Sequence, residues 1–365
     1  MKLYELTTYL EALAPLALQE SYDNSGLLVG DSQQEIKQAL IALDCTEAVV
    51  DEAIALGCDV IITHHPIIFK GLKRLTGANY IERVVIKAIR HNIALYAIHT
   101  NLDNVIGGVN SKIADRLALE NQHVLSPKKE VLRKMVVFSP EDHADQVRQA
   151  LFGAGAGSIG LYDQCSFNSV GIGTFEPKAG AEPYVGAIGE VQREEEARIE
   201  VIYPFYNETN IIKALFQAHP YEEVAYDIYE LQNSYQNVGS GVVGNLPEPM
   251  NPIGFLSYLK ERIGTEMIRH TALPHQKVQK IAVCGGSGGF LLQDAIRAGA
   301  DVFVTADYKY HEFFDADGKI IIADVGHFEI EQFTQQLLLE IIQNKFPTFA
   351  VRLTGIQTNP INYYC

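Results

Sequence analysis

Residues 53–65 read AIALGCDVIITHH, and residues 295–307 read AIRAGADVFVTAD. The two stretches align without a gap at an offset of 242 residues (295 minus 53) and share six identities. Agreement at a fixed offset indicates an internal duplication. The duplicated unit decides how the first and last thirds of the chain are organised.

Each copy of this repeat has the pattern of a β-α-β unit. A strand leads into a helix that ends at Gly57 or Gly299, because glycine suits the left-handed position after a helix. The strand that follows is apolar throughout, as in parallel sheets covered by helices on both faces. The predicted strands are residues 39–43, 60–62 and 93–98 in the first copy, and 280–284, 302–304 and 320–323 in the second.

A second duplication lies between these halves, at an offset of 64 residues (204 minus 140). Each copy is predicted as strand, helix, strand, with opening strands at residues 135–138 and 199–202. A doubled β-α-β unit of this size predicts a ferredoxin-like domain. The matched segments are Pro140 with Pro204, residues 150–152 with 214–216, and Tyr162-Asp163 with Tyr226-Asp227.

The two duplications together predict the fold class. We expect a duplicated, discontinuous α/β core domain formed by residues 1–127 and 233–365. An inserted ferredoxin-like α+β domain is expected at residues 128–232. Two units also suit a chain of 365 residues, because a single hydrophobic core usually stops growing at roughly 250–300 residues.

Composition excludes several classes of protein. The chain is 47% hydrophobic and 20% charged, and it lacks the roughly 20 consecutive apolar residues of a membrane span. A formal charge of −16 without a basic run argues against extended nucleic-acid binding. The N-terminus has no signal-peptide pattern, so we expect a cytoplasmic protein. The five scattered cysteines predict free thiols instead of a disulfide framework or zinc ribbon.

Imidazole and carboxylate side chains follow the buried strands. His64 and His65 follow the strand at residues 60–62 after one intervening residue, and each can reach a metal ion there, although structural histidines give the same pattern. Asp103 follows the next strand, and its alternative role is to cap the helix containing Ile113.

His327 and Glu331 are four residues apart on a predicted helix, so they share one face. They either bind the same ion or form an ordinary solvated pair. Ligands collect at the carboxyl ends of parallel strands, so the three clusters should meet at one edge of one sheet. Five ligands exceed the three of a catalytic zinc site, whereas two ions sharing a carboxylate accommodate them. The sequence thus predicts two divalent ions per chain, of zinc, iron or manganese.

Other residues near these strand ends are candidates for substrate binding. The run Gly285–Gly289 is not a P-loop, and it either cradles a phosphate or forms a tight turn that allows close packing. Asp307 occupies the position that matches His65 in the duplication. The candidates are His99, Gly286, Ser287, Gly288, Asp307 and Lys309.

The chain resembles the NIF-three-like family of dinuclear-metal proteins, often catalogued as GTP cyclohydrolase I type 2 homologues. The resemblance spans nearly the whole chain. By it, His64, His65, Asp103, His327 and Glu331 match the family's metal ligands. It rests on residues 22–27 (YDNSGL), 63–66 (THHP), 99–103 (HTNLD), 286–288 (GSG), Gly326-His327 with Glu331, and 358–360 (TNP).

The resemblance also implies an assembly and an activity. Members form a toroidal homohexamer, and the middle segment looks like an inserted domain similar to PII and CutA proteins. We therefore expect a metal-dependent hydrolase of a nucleotide or another phosphorylated small molecule, with GTP cyclohydrolase chemistry as one form. The rival hypothesis is a non-catalytic metal-binding assembly or regulator whose inserted domain senses a small molecule.

Overall fold

The computed structural model describes residues 1–274 and 276–364. The chain forms two compact units. The first unit is Met1–Pro127 with Asn237–Cys365, and the second unit is Lys128–Gln236. The expected α/β class is confirmed, because both helices and sheets are abundant.

Strands and helices are numbered here in chain order. The strands are β1 Gly26–Val29, β2 Gln38–Ala42, β3 Val60–Thr63, β4 Ala94–Ala97, β5 Glu120–Lys128, β6 Leu132–Pro140, β7 Ser166–Phe175, β8 Gln192–Pro204, β9 Tyr226–Glu230, β10 Tyr235–Met250, β11 Arg269–His270, β12 Val278–Val283, β13 Val302–Thr305, β14 Ile321–Asp324 and β15 Ala350–Leu353. The helices are α1 Leu3–Leu13, α2 Glu47–Leu56, α3 Tyr80–Arg90, α4 Thr100–Asp103, α5 Val109–Arg116, α6 Ala144–Gly153, α7 Glu208–Ala218, α8 Pro252–Ile263, α9 Leu292–Arg297, α10 His327–Glu331 and α11 Thr334–Lys345.

The first unit contains two sheets. One has the order β1-β4-β3-β2-β15, and the other has the order β11-β14-β13-β12-β10-β5. The central strands of each sheet, β2-β3-β4 and β12-β13-β14, are parallel. The prediction that the ligand clusters meet at one edge of one sheet is therefore wrong, because each copy of the repeat builds a sheet of its own.

The duplication is preserved in strand register. Ala39 pairs with Val60 in the first copy, and Ile281 pairs with Val302 in the second. Each residue of the second pair lies 242 positions after its counterpart in the first pair, which is the offset of the duplication. The helix before the second strand ends as predicted, since Gly57 has φ 68° and Gly299 has φ 71°. The predicted β-α-β units are confirmed at the level of individual residue pairs.

Each sheet of the first unit takes a strand from the other half of the chain. The C-terminal strand β15 pairs in parallel with β2, and β5 from the N-terminal half lies beside β10. Ile41 and Ile62 of one sheet share a single buried cluster with Val283 and Val304 of the other. The two sheets thus pack around one hydrophobic core, and neither half completes its sheet alone.

The second unit has a four-stranded antiparallel sheet of order β7-β8-β6-β9, packed against α6 and α7. Its inner face buries Met135, Val137 and Ile199. Tyr162-Asp163 does not open a strand as Tyr226-Asp227 does. Ile159 and Tyr162 instead close a turn by hydrogen bonds between their backbones, and β7 begins only at Ser166.

Among the described residues, no helix has both the length and the apolar character needed to cross a bilayer. Cys45, Cys58 and Cys284 are buried free thiols, as expected, whereas Cys165 is only half-buried. Cys365 lies outside the described residues.

Candidate metal centre

Loops at the carboxyl ends of strands from both sheets bring the predicted ligands together. His64 and His65 follow β3, and Asp103 closes the short helix α4 that follows β4. His327 and Glu331 begin and end α10, directly after β14. The sheets share one core, so strand ends separated by more than 200 residues of sequence meet in one cluster.

The Nδ1 atom of every histidine in this cluster has a hydrogen-bond partner. Each one faces an oxygen atom at hydrogen-bond distance, which directs the opposite ring nitrogen, Nε2, toward the other candidate ligands. Metal-bound histidines characteristically have this second hydrogen bond, because it fixes the tautomer and the ring orientation. The pairs are His64 with the Ile98 carbonyl oxygen (2.9 Å), His65 with Asp44 (2.7 Å), His99 with Asp23 (2.8 Å) and His327 with Asp307 (2.6 Å).

Glu331 lies at the centre of the cluster. Its Oε2 atom is 2.9 Å from Nε2 of His65 and 3.0 Å from Nε2 of His327. Its other oxygen, Oε1, is 3.8 Å from Nε2 of His64. The two carboxylate oxygens therefore face two different groups of candidate ligands.

Two polar atoms of the cluster are buried without a hydrogen-bond partner. They are Nε2 of His64 and Oδ1 of Asp103, which lie 3.7 Å apart, too far for a hydrogen bond. Leaving a buried polar atom unpaired costs roughly 1–3 kcal/mol, so native proteins rarely tolerate it. A divalent cation held between the two atoms satisfies both, and the residues present therefore fit a metal ion.

The histidines bind protons strongly in the ion-free chain. Burial lowers the pKa of His65, but its hydrogen bonds with Asp44 and Glu331 outweigh this effect and raise the pKa to about 9. Burial also lowers the pKa of His327, but its hydrogen bonds with Asp307 and Glu331 outweigh this effect and raise the pKa to about 11. Burial opposes ionisation of Glu331, yet the surrounding histidines hold its pKa well below its usual value. Protons on the histidines therefore supply the positive charge that a bound metal ion would otherwise bring to Glu331.

The glycine-rich loop after β12 passes against this cluster. Gly286 has φ 59°, and a β-carbon on it would lie 2.5 Å from Oε1 of Glu331. A β-carbon on Gly288 would lie 2.5 Å from Oγ1 of Thr305, the atom to which its N–H donates. Of the two alternatives for this loop, close packing explains both glycines.

A cavity of about 350 Å³ opens onto the ligands. Its wall includes His99, Gly286 and Ser287, and no lysine or arginine of the described chain lines it. Asp307 acts through its hydrogen bond to His327, and the exposed Lys309 faces Glu312 outside this cavity. A negatively charged ligand in this cavity would therefore meet imidazoles and uncharged polar groups among the described residues, but no lysine or arginine.

Comparisons with known proteins identify the family. The model of Duf34/NIF3 (NGG1p interacting factor 3) matches residues 1–360. The chain belongs to the Duf34/NIF3 family. Its relatives in Halalkalibacterium halodurans and Bacillus subtilis, both named GTP cyclohydrolase 1 type 2 homolog, are 40% and 37% identical to it over 97% of this chain and 96% of their own.

Solved structures agree with this assignment. A Bacillus cereus protein related to NIF3 has a TM-score of 0.86 and 40% identity, over 100% of this chain and 99% of that one. A Staphylococcus aureus protein, SA1388, has a TM-score of 0.79 and 32% identity, with the same coverage. The expected family resemblance is confirmed.

In this Duf34/NIF3 member, two residues support the candidate ligands without having been assigned that role from the sequence: Asp44, which no motif included, and Thr358, which belongs to the TNP motif at 358–360. Asp44 follows β2 and orients His65, and Thr358 donates a hydrogen bond of 2.7 Å to the other oxygen of Asp44. Asp44 could have been found from the sequence, because it follows a buried parallel strand. His64 and His65 are predicted from that same position, since ligands collect at the carboxyl ends of parallel strands. No local pattern connects Thr358 with residues more than 300 positions earlier.

Proposed function

We propose that this chain is a hydrolase that depends on two divalent metal ions. The observation that carries the proposal is the position of Glu331, whose two oxygens face separate groups of ligands. His64, Asp103 and Oε1 of Glu331 would hold one ion. His65, His327 and Oε2 would hold the other, with Glu331 as the bridge.

The ligand set limits the identity of the ions. Imidazole nitrogens and carboxylate oxygens suit zinc, iron and manganese. Five protein ligands shared between two ions leave coordination positions open, which is typical of catalytic sites. When bound, such a pair of ions lowers the pKa of a coordinated water and stabilises negative charge that develops on a substrate oxygen.

The residues around the ligands suggest how a substrate is held. His99 is oriented by Asp23 and lies with its ring centroid 5.1 Å from that of His64, so its free nitrogen can form a hydrogen bond with a bound substrate. Ser287 lines the same cavity beside Gly286. A nucleotide or another phosphorylated small molecule would direct its phosphate toward the ions, because no lysine or arginine among the described residues lines the cavity.

A second candidate function is a non-catalytic metal-binding assembly or regulator. The topology of the second unit supports it. Its elements follow the order strand-helix-strand-strand-helix-strand, and its sheet has the order β7-β8-β6-β9, as expected if the unit is a ferredoxin-like domain. Such a domain, inserted at residues 128–232, would sense a small molecule. Under both functions we propose a cytoplasmic homohexamer.

One experiment separates these functions. The protein is purified without chelators, its metals are quantified, and the loaded protein is tested against nucleotides and phosphorylated metabolites for product release. We expect about two ions per chain and turnover that His64→Ala and Glu331→Gln abolish. Two ions without turnover of any substrate support the regulator, and one ion or none contradicts the dinuclear site.

A further inference from the structure

The second unit has a cavity of its own, of about 520 Å³. This volume is in the range of about 300–1,000 Å³ that is typical of small-molecule sites. The cavity lies at one end of the sheet, beneath the loop that joins β7 to β8. Rings form much of its wall, and they belong to Phe138, Phe175, Pro177, Pro183, Tyr184 and Tyr221.

Three of the aromatic rings form a concave wall. The ring centroid of Tyr221 is 6.1 Å from that of Phe175 and 6.0 Å from that of Tyr184. The planes are inclined at 55° and 46°, so the rings do not stack face to face. The faces of aromatic rings carry negative electrostatic potential and attract cations.

A carboxylate lies among these rings. Oε1 of Glu196 accepts a hydrogen bond of 3.1 Å from the hydroxyl of Tyr221. Its other oxygen occupies the space that a β-carbon on Gly173 would need, so the absence of a side chain at Gly173 makes room for it. No lysine or arginine within the described ranges forms an ion pair with Glu196, although Lys178 lines the same cavity.

The lining as a whole has a net negative charge. Among the described residues, four glutamates and one lysine, Lys178, line the cavity. The loop over the cavity contacts the opposite wall, where the backbone N–H of Glu182 donates a hydrogen bond of 2.8 Å to Glu222. The Tyr184 hydroxyl is also 3.0 Å from Nε2 of His143. The glutamates are Glu176, Glu196, Glu222 and Glu223.

We propose that this cavity binds an organic cation, a protonated or quaternary amine. The ammonium group would meet Glu196, and the carbon skeleton would pack against Phe175, Tyr184 and Tyr221. Aromatic rings beside a carboxylate are the arrangement that recognises such cations. A bare metal ion fits less well, because the groups of converging metal-ligand atoms in the described chain all belong to the first unit. This site is independent of the proposed hydrolase activity.

The proposal is tested on the full-length, metal-loaded protein by titration with choline, benzyltrimethylammonium and 3,3-dimethylbutan-1-ol, the neutral isostere of choline. Ligand-observed NMR or calorimetry gives the dissociation constants. We expect both cations to bind saturably, and choline to bind at least about tenfold more tightly than its isostere. Equal binding of the isostere, or no saturable binding of either cation, overturns the proposal.

Matched variants locate the site. Glu196→Gln removes the charge but keeps an acceptor for Tyr221, and it should weaken benzyltrimethylammonium binding by about tenfold. Glu195→Gln is the control, because it removes the same charge from the neighbouring residue of β8, whose side chain points to the opposite face of the sheet. Tyr184→Ala changes an exposed ring, 53% accessible, without disturbing the core, and it should weaken binding by about fivefold. Equal losses in Glu195→Gln and Glu196→Gln contradict this location.

Discussion

Gly286 and Glu331 approach so closely that a β-carbon on Gly286 would lie 2.5 Å from Oε1 of Glu331. The absence of a side chain at Gly286 therefore leaves room for the carboxylate that faces both groups of candidate ligands. The close approach arises because the loop after β12 passes against the end of α10, which follows β14 of the same sheet.

Gly286→Ala should damage metal binding. The substitution places a methyl group against Glu331 and adds a side chain at φ 59°, which costs roughly 1–2 kcal/mol. We expect at least one ion to bind about tenfold more weakly in a competitive chelator titration. Gly289→Ala is the control in the same loop, since its β-carbon would meet only ordinary contacts, the nearest at 3.7 Å. Equal affinities in the two variants would contradict the role of Gly286.

Glu331→Gln should weaken both ions together. The amide keeps the size of the side chain but removes the negative charge that faces both ligand groups. Elemental analysis should find about two ions in the parent protein and fewer than one in this variant. His64→Ala should mainly affect one ion. Glu329→Gln is the control and should keep both ions, because Glu329 lies two residues before Glu331 and accepts a hydrogen bond from Asn359 instead. Full metal occupancy in Glu331→Gln would exclude it as a ligand.

Asp44→Asn should lower metal affinity although Asp44 is not a candidate ligand. Its carboxylate accepts the hydrogen bond that orients His65, and loss of such a partner typically costs about 10–100-fold in affinity. Asp51→Asn is a control of identical chemistry at an exposed ion pair with Lys87. Unchanged affinity in Asp44→Asn would show that His65 is oriented by other contacts.

Metal binding should release protons and strengthen as the pH rises. His65 and His327, with pKa values of about 9 and about 11 in the ion-free chain, both hold a proton at pH 7 that a metal ion must displace. Calorimetric titration with zinc in buffers of different ionisation enthalpy measures this release. The same enthalpy in every buffer would mean that the site is already deprotonated.

The raised pKa values also predict the pH dependence of stability. Both histidines have a folded pKa above the unfolded value of 6.5. Their contribution to the stability of the ion-free protein is therefore fully present below pH 6.5, and the share of His65 is lost as the pH rises through about 9. Thermal unfolding with a chelator should show a lower midpoint at pH 9 than at pH 6.5, and excess zinc should reduce or reverse the difference.

Replacing residues 128–232 with a short Gly-Ser linker should leave a folded, metal-binding core. The flanking strands β5 and β10 are neighbours in one sheet, and a β-carbon on Gly239 would lie 2.7 Å from the α-carbon of Pro127. A short linker can therefore join the ends. Cooperative unfolding and an unchanged metal content are the expected results. Loss of both would show that the core depends on the inserted segment.

The sequence by itself determined the repeating units and the candidate ligands. The β-α-β repeats were readable because buried parallel strands are apolar throughout and because glycine marks the helix end at Gly57 and Gly299. His64 and His65 were found because they follow such a strand. The pair His327 and Glu331 was found because helical spacing puts both on one face.

Only the tertiary structure decided how these pieces meet. The sequence predicted one sheet, but β15 and β5 cross between the halves and two sheets enclose one core. The contacts of Asp44 with Thr358 and of Gly286 with Glu331 join positions far apart in the chain. Local patterns report which side chains a strand end presents, because propensity and burial are local properties. They do not report which distant strand end lies opposite, because that depends on how the sheets pack.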